Sequence, residues 1–167
     1  MTEPVHKKWA SVYFNGDFYI ASSSSGYRSC VRDPLGFEGH LAPTATDEEL
    51  GKVLLEAVAQ SRFLRPEQRE EFDQLFNPMR IAASYETWVD SLLERYKYKT
   101  KRDLFRNMAL CNITVIANEV EIFPMRHEKL ESWAGLKGEG IEGIVLPLGS
   151  SHELLGKALR IAFDRCK

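Results

Sequence analysis

Asn-Ile-Thr-Val-Ile-Ala-Asn-Glu-Val-Glu-Ile-Phe, residues 112–123, is the stretch that decides the fold. Ile113, Val115, Val120 and Ile122 fall at alternate positions on either side of Ala117-Asn118. A period of two marks strands with one buried face, so residues 112–116 and 119–123 are predicted to form a hairpin. The period differs on both sides. Upstream, Thr100 is placed to cap a short helix through Leu104, Phe105 and Met108. Before it, Ile81, Tyr85, Trp88, Val89, Leu92 and Leu93 recur at helical spacing and predict a helix over about 79–96. Downstream, residues 144–148 read as a buried strand. Ser150 and Glu153 then form a capping box for a last helix carrying Leu154, Leu155, Ala158, Leu159, Ala162 and Phe163.

The N-terminal third supplies more strands. Residues 8–14 are rich in Trp, Tyr, Val and Phe, and residues 17–21 return with Phe18, Tyr19 and Ile20. Between them Asn15-Gly16 favours the positive φ angles of a type I′ turn. Residues 22–26, Ser-Ser-Ser-Ser-Gly, read as a polar loop. Residues 27–32 allow a third short strand, and residues 33–43, with two glycines and two prolines, an irregular connection. Thr46 and Glu49 form a capping box ahead of Leu50, Val53, Leu54, Ala57 and Val58. A second helical stretch follows Pro66, with Phe72, Leu75 and Phe76 on its apolar side and Asn77-Pro78 as its breaker. The order is strands, helices, strands, helix. It predicts an α+β fold, a mostly antiparallel sheet with helices packed on it, over one domain spanning 1–167. A chain of 167 residues buries roughly 70% of its unfolded surface, enough for a core without staples.

Composition narrows the function. The net charge is −2, which provides no bulk drive toward nucleic acid or anionic lipid. Cys30, Cys111 and Cys166 have no paired spacing and read as reduced thiols of a cytoplasmic protein. No apolar run marks a signal peptide or a membrane span. His6, His40 and His152 lie at no ligand spacing, so no metal and no cofactor is expected. Gly135, Gly138, Gly140 and Gly143 are followed by no Gly-Lys-Ser/Thr and read as a surface loop.

Two constellations admit sharper readings. Arg95, Lys97, Lys99, Lys101, Arg102 and Arg106 interleave with Tyr96, Tyr98 and Phe105. They fit a nucleic-acid patch, with cations on phosphates and rings on bases. They also fit a helix C-terminus that favours cations, with tyrosines closing the core. The acidic remainder of the chain favours the second reading. His127-Glu128 fits general acid–base work, but a structural hydrogen-bonding role is the simpler reading, and no catalytic residue is assigned.

Glu94-Arg95-Tyr96, Lys99-Thr100, Leu104 to Met108 and Arg126-His127-Glu128-Lys129-Leu130-Glu131 through Trp133 together resemble the CdiI-type immunity proteins of contact-dependent growth inhibition systems. Thr46 to Gly51, Tyr85 to Val89 and the region from Leu159 to Cys166 agree in the same order. The resemblance implies a cytoplasmic protein that binds, one-to-one, the C-terminal toxin domain of a cognate CdiA effector, many such toxins being nucleases. In part of the family it also implies β-augmentation, in which a toxin hairpin enters a pocket and extends the immunity sheet. An exposed strand edge supplies main-chain hydrogen bonds for that mode, and flanking pockets supply specificity. Such a binder needs no nucleophile, metal or cofactor. Tyr96, Lys99, Arg102, His127 and Trp133 are the candidate partner-binding residues, at a pocket or edge. The alternatives are a nucleic-acid-binding module using residues 95–106 and a small enzyme using His127 and Glu128.

Overall fold

In the computed structural model, which describes residues 5–167, Ala117 and Asn118 both adopt positive φ, 50° and 65°. Two such residues joining Ile116 to Glu119 make a type I′ hairpin, whose twist matches the strands it joins. Strands β5 (Ala109–Ile116) and β6 (Glu119–Lys129) therefore pair as the alternation predicts, and β6 runs on past Phe123. Strand β1 (Lys7–Phe14) pairs antiparallel with the far side of β5, Val12 opposite Cys111. Strand β2 (Tyr19–Gly26) pairs antiparallel with β1.

The first hairpin differs from expectation. Phe14 pairs with Tyr19, leaving four residues in the loop, and of these only Gly16 has a positive φ, 94°. Tertiary contacts override the local preference. Phe18 leaves the strand path to bury against Tyr96, rings stacked at 3.7 Å. The Asn15 amide donates to Tyr98 Oη at 2.9 Å and to the Leu104 carbonyl at 3.2 Å.

The serine run is not a loop either. Residues 22–26 continue β2, and all are buried. Three of the four serines bond to residues beyond the strand, two through their hydroxyls and one through its carbonyl. Ser23 Oγ donates to the Ala57 carbonyl at 2.6 Å and Ser25 Oγ to Asp33 at 2.6 Å, while the Ser24 carbonyl accepts from Ser61. Small hydroxyls let helix α1 (Asp47–Ala59) lie close on the strand, and hydrogen bonding makes their burial tolerable. Of residues 27–32 only Cys30–Arg32 form a strand, β3. The stretch 33–43 contains a strand as well, β4 (Glu38–Leu41), which pairs with β2. Strand β7 (Ser132–Gly135) pairs with β6, and β8 (Ile144–Pro147) pairs with the start of β6. The glycine-rich segment thus begins in β7 and holds one 3₁₀ turn, Lys137–Glu139. All these strand pairs are antiparallel, in the order β3-β2-β1-β5-β6-β7.

Helix α1 begins with the predicted capping box at Thr46 and Glu49. The second helix, α2 (Arg69–Phe76), starts later than expected, because a turn closed by Gln68 N and the Arg65 carbonyl precedes it. Asn77 caps α3 (Pro78–Tyr96), and Thr100 caps α4 (Lys101–Phe105). The last helix, α5 (His152–Arg165), is capped by Ser151 rather than Ser150, because the Ser150 amide closes a turn on the Pro147 carbonyl. Leu154 accordingly points outward at 46% exposure, while Leu155, Ala158, Leu159 and Ala162 face in.

Helices α1 and α5 cover one face of the sheet. Ala10, Val12, Cys111, Ile113, Val120 and Ile122 meet Leu50, Leu54, Leu155 and Leu159 there. Each buried leucine contributes about 2 kcal/mol. On the other face, α3 and α4 cover only one end, through Phe18, Ile20, Trp88, Leu92, Leu104 and Phe105. The rest of that face is left open. No helix among the described residues is long and apolar enough to cross a membrane.

Candidate functional site

Strand alternation builds the open face. Because Ala10 and Val12 point to the helices, Trp9, Ser11 and Tyr13 point away; because Cys111, Ile113 and Val115 point in, Asn112 and Thr114 point away. These side chains floor a groove of about 460 Å³. Ser11 Oγ donates to Asn112 Oδ1 at 3.0 Å and fixes the floor. The groove's two sides are the ends of the sheet: Cys30–Arg32 of β3, and Gly135 with Leu136 and Lys137 at the end of β7. The sheet therefore bends far enough for both ends to border one cavity. Strand β3 pairs only with β2 and β7 only with β6, so each has an edge with no strand partner among the described residues. A polar floor between two open edges is suited to an extended chain. Tyr13 is held in the wall between Trp88 (5.3 Å) and Trp133 (5.7 Å), and burial pushes its hydroxyl up to about 12.

A second feature adjoins the groove at Trp133. This ring stacks on His127 at 4.8 Å, donates Nε1–H to the Met108 carbonyl at 2.9 Å, and meets Tyr13 edge-on. His127 Nε2 faces the Leu130 carbonyl at 2.8 Å, so Nε2 carries the proton and Nδ1 is left for another donor. Around it, Arg102, Arg106 and Lys129 line an open notch with Glu128 and Leu130. Arg102, Arg106 and Lys129 have no carboxylate within 4 Å among the described residues.

Of the five residues singled out from sequence, three meet here: Arg102, His127 and Trp133. Lys99 is exposed in the turn between α3 and α4. Tyr96 lies elsewhere, stacked on Phe18, with its hydroxyl 2.7 Å from His40 Nδ1. His40, set aside for its distance in sequence, is thereby joined to Tyr96 on one side and to Glu38 at 2.9 Å on the other. That contact, ahead of the opposing effect of burial, holds the Glu38 carboxyl below its usual range. The basic run behaves partly as a helix end: Arg95 lies over the Tyr96 ring at 5.7 Å, and Lys97 takes the left-handed C-cap with φ 58°. Tyr98 accepts from Asn15 and donates to Asp17, which anchors the run to the first hairpin.

Sequence reasoning missed the groove floor. Ser11, Asn112 and Thr114 were readable as the polar half of an alternating pattern, but nothing local shows that α3 and α4 leave that half uncovered. Arg32 was missed as well; it sits on the short edge strand and lines the groove. No group of three or more His, Cys, Asp or Glu among the described residues is placed to hold a metal ion.

The CdiI family model (CDI immunity protein) matches residues 8–166. Over the whole chain, the sequence is 39% identical to the immunity protein CdiI-YPIII of Yersinia pseudotuberculosis serotype O:3 (strain YPIII), of which it covers 99%. The fold matches a chain of the CdiA-CT/CdiI toxin and immunity complex from Yersinia pseudotuberculosis with a TM-score of 0.91 and 39% identity, over 98% of this chain and 99% of that one. It matches a protein of unknown function from Neisseria meningitidis with a TM-score of 0.91 and 30% identity, over 100% and 99% of the two chains.

Proposed function

The chain belongs to the CdiI family of CDI immunity proteins, and from that premise we propose that it neutralises the C-terminal toxin domain of its cognate CdiA effector by stoichiometric binding. The observation that carries this reading is the near-complete structural likeness to a chain of a toxin and immunity complex. The groove supports β-augmentation as the mode. An incoming toxin hairpin finds an open edge on either side, where its amides gain main-chain partners, and Ser11, Asn112 and Thr114 beneath it select its side chains. Lys99, Arg102 and His127 are the accessory contacts in this reading, reached past the outer wall, with Trp133 holding His127 and Tyr96 holding the α3 end. The toxin is a nuclease in the same reading, and the immunity protein acts in the cytoplasm, where the delivered toxin meets its substrate.

The test is to express the toxin domain encoded beside this chain with and without the protein. Rescue of growth, with a one-to-one complex on a sizing column, is expected. Continued killing without a complex overturns the reading. Nucleic-acid integrity in the unprotected cells tests the nuclease assignment separately.

A further inference from the structure

We propose that Cys111 and Cys166 form a peroxide-driven dithiol–disulfide switch that fastens the end of α5 to the sheet. The two thiols come from positions 55 residues apart, yet their sulfurs lie 3.7 Å from each other. A disulfide needs about 2.0 Å, so each sulfur has to move less than about 1 Å. The pair lies on the helix-covered face of the sheet, away from the groove, so its chemistry is independent of the toxin-binding reading.

The fold gives the two thiols unequal surroundings. Cys111 is buried on β5, opposite Val12 of β1 and Pro124 of β6. Cys166 follows directly on α5 and is only half-buried, with its amide donating to the Phe163 carbonyl at 3.1 Å. Its sulfur lies 3.4 Å from the Leu110 carbonyl and 3.5 Å from that of Ala162. Burial pushes the Cys111 thiol up, so it stays protonated. Contact with Cys111, ahead of the opposing effect of burial, holds the Cys166 thiol below its usual value. The thiolate is the reactive form. Cys166, the more exposed and the more acidic, therefore reacts first, and Cys111 resolves.

Hydrogen peroxide is the oxidant. The Cys166 thiolate attacks one peroxide oxygen and the O–O bond breaks. The hydroxide that leaves takes up the proton Cys166 gave up, and a sulfenic acid remains. The Cys111 thiol then attacks that sulfur. The S–O bond breaks, and the hydroxyl leaves with the Cys111 proton as water. Two thiols and one peroxide become one disulfide and two waters. The bond holds more than two side chains. Lys167, the next residue, lies along β6: its amide donates to the Met125 carbonyl at 3.2 Å, and its carbonyl accepts from the His127 amide at 2.8 Å. Met125 lines the groove and His127 the basic notch. The link also closes a loop that contains β6, β7, β8 and α5, and such a link restricts the unfolded chain. Oxidation thus stiffens the strand that borders both surfaces without adding a group to either.

The experiment uses the full chain, first reduced and then treated with hydrogen peroxide. Its intact mass should fall by two hydrogens, and a proteolytic map should link Cys111 to Cys166. Cys30, exposed on β3, should remain outside the link. The Tm should rise by about 5 °C or more, and dithiothreitol should reverse the rise. Exchange of the His127 amide should slow about tenfold. Cys166→Ser should show none of these changes. Cys111→Ala should stop at the sulfenic acid, which dimedone traps at Cys166. If the treated parent carries no link between Cys111 and Cys166, or carries it with Tm unchanged or lowered, the switch falls. The treated parent decides this by itself, so a variant that fails to fold does not blur the result. Toxin capture enters none of these measurements, so the immunity reading stands or falls separately.

Discussion

Replacing Gly51 or Gly156 with alanine sets two principles against each other. Both glycines lie inside helices, α1 and α5, where intrinsic propensity says alanine should stabilise by about 1 kcal/mol. The packing says the opposite. A Cβ on Gly51 would lie 1.9 Å from the His152 carbonyl oxygen, and one on Gly156 would lie 1.8 Å from that of Asp47. The contacts are reciprocal: each helix lays a glycine against the first turn of the other. Both distances fall about 1.5 Å short of the 3.4 Å at which ordinary contact begins, and the obstacle is backbone rather than a side chain that can swing away. Relief requires the helices to part, which loosens Leu50, Leu54, Leu155 and Leu159. Overpacking of this kind costs about 1–3 kcal/mol, and a backbone obstacle places it near 3. After the propensity gain, each variant should lose about 2 kcal/mol, a drop in Tm of about 4–8 °C for a chain of this size. The double variant should lose less than twice that, because one separation accommodates both methyls. Denaturant unfolding of the four proteins measures all three quantities. Either single variant matching or exceeding the parent in stability would refute the close crossing.

Arg62→Met should cost about 3 kcal/mol, because it leaves Asp33, 3% exposed, without the guanidinium that donates at 2.7 and 3.0 Å; urea unfolding measures it. Burial alone would raise the Asp33 pKa, but Arg62, Ser25 and the Leu35 amide outweigh it and hold the carboxyl low. The contribution of this group is therefore complete above the ordinary carboxylate range and is lost as the pH falls through the lowered value. Acid unfolding of the parent should steepen there and that of Asp33→Asn should not. Thr46→Ala should cost about 1 kcal/mol by removing the cap accepted from Glu49 N at 3.1 Å, read as a shift in the denaturation midpoint. Thr114→Arg should leave the fold intact, since the side chain points into the open groove, and should weaken toxin capture at least about a hundredfold by filling the strand path; calorimetry on the purified pair decides it.

What was readable in the chain was what neighbours in sequence decide. The alternation around Ala117-Asn118 predicted the central hairpin because its determinant, a period of two on either side of a short break, lies within 12 residues. The capping box at Thr46 and the cap at Thr100 span three residues each and held for the same reason. Family membership was legible because whole blocks, from Lys99 to Met108 and from Arg126 to Trp133, survive as strings. Tertiary structure alone decided the rest. Asn15-Gly16 is a type I′ signal by local rules, yet Phe18 gains more by burying under Tyr96 than the tight turn offers. The serines of β2 look like a loop until Asp33, outside the strand, and Ala57 and Ser61, far along the chain, supply hydrogen-bond partners. The groove exists because two helices stop short of half a sheet face and the sheet bends until its ends border one cavity. No window of sequence contains that fact, since hydrophobic burial depends on which surfaces finally meet and not on the residues beside them.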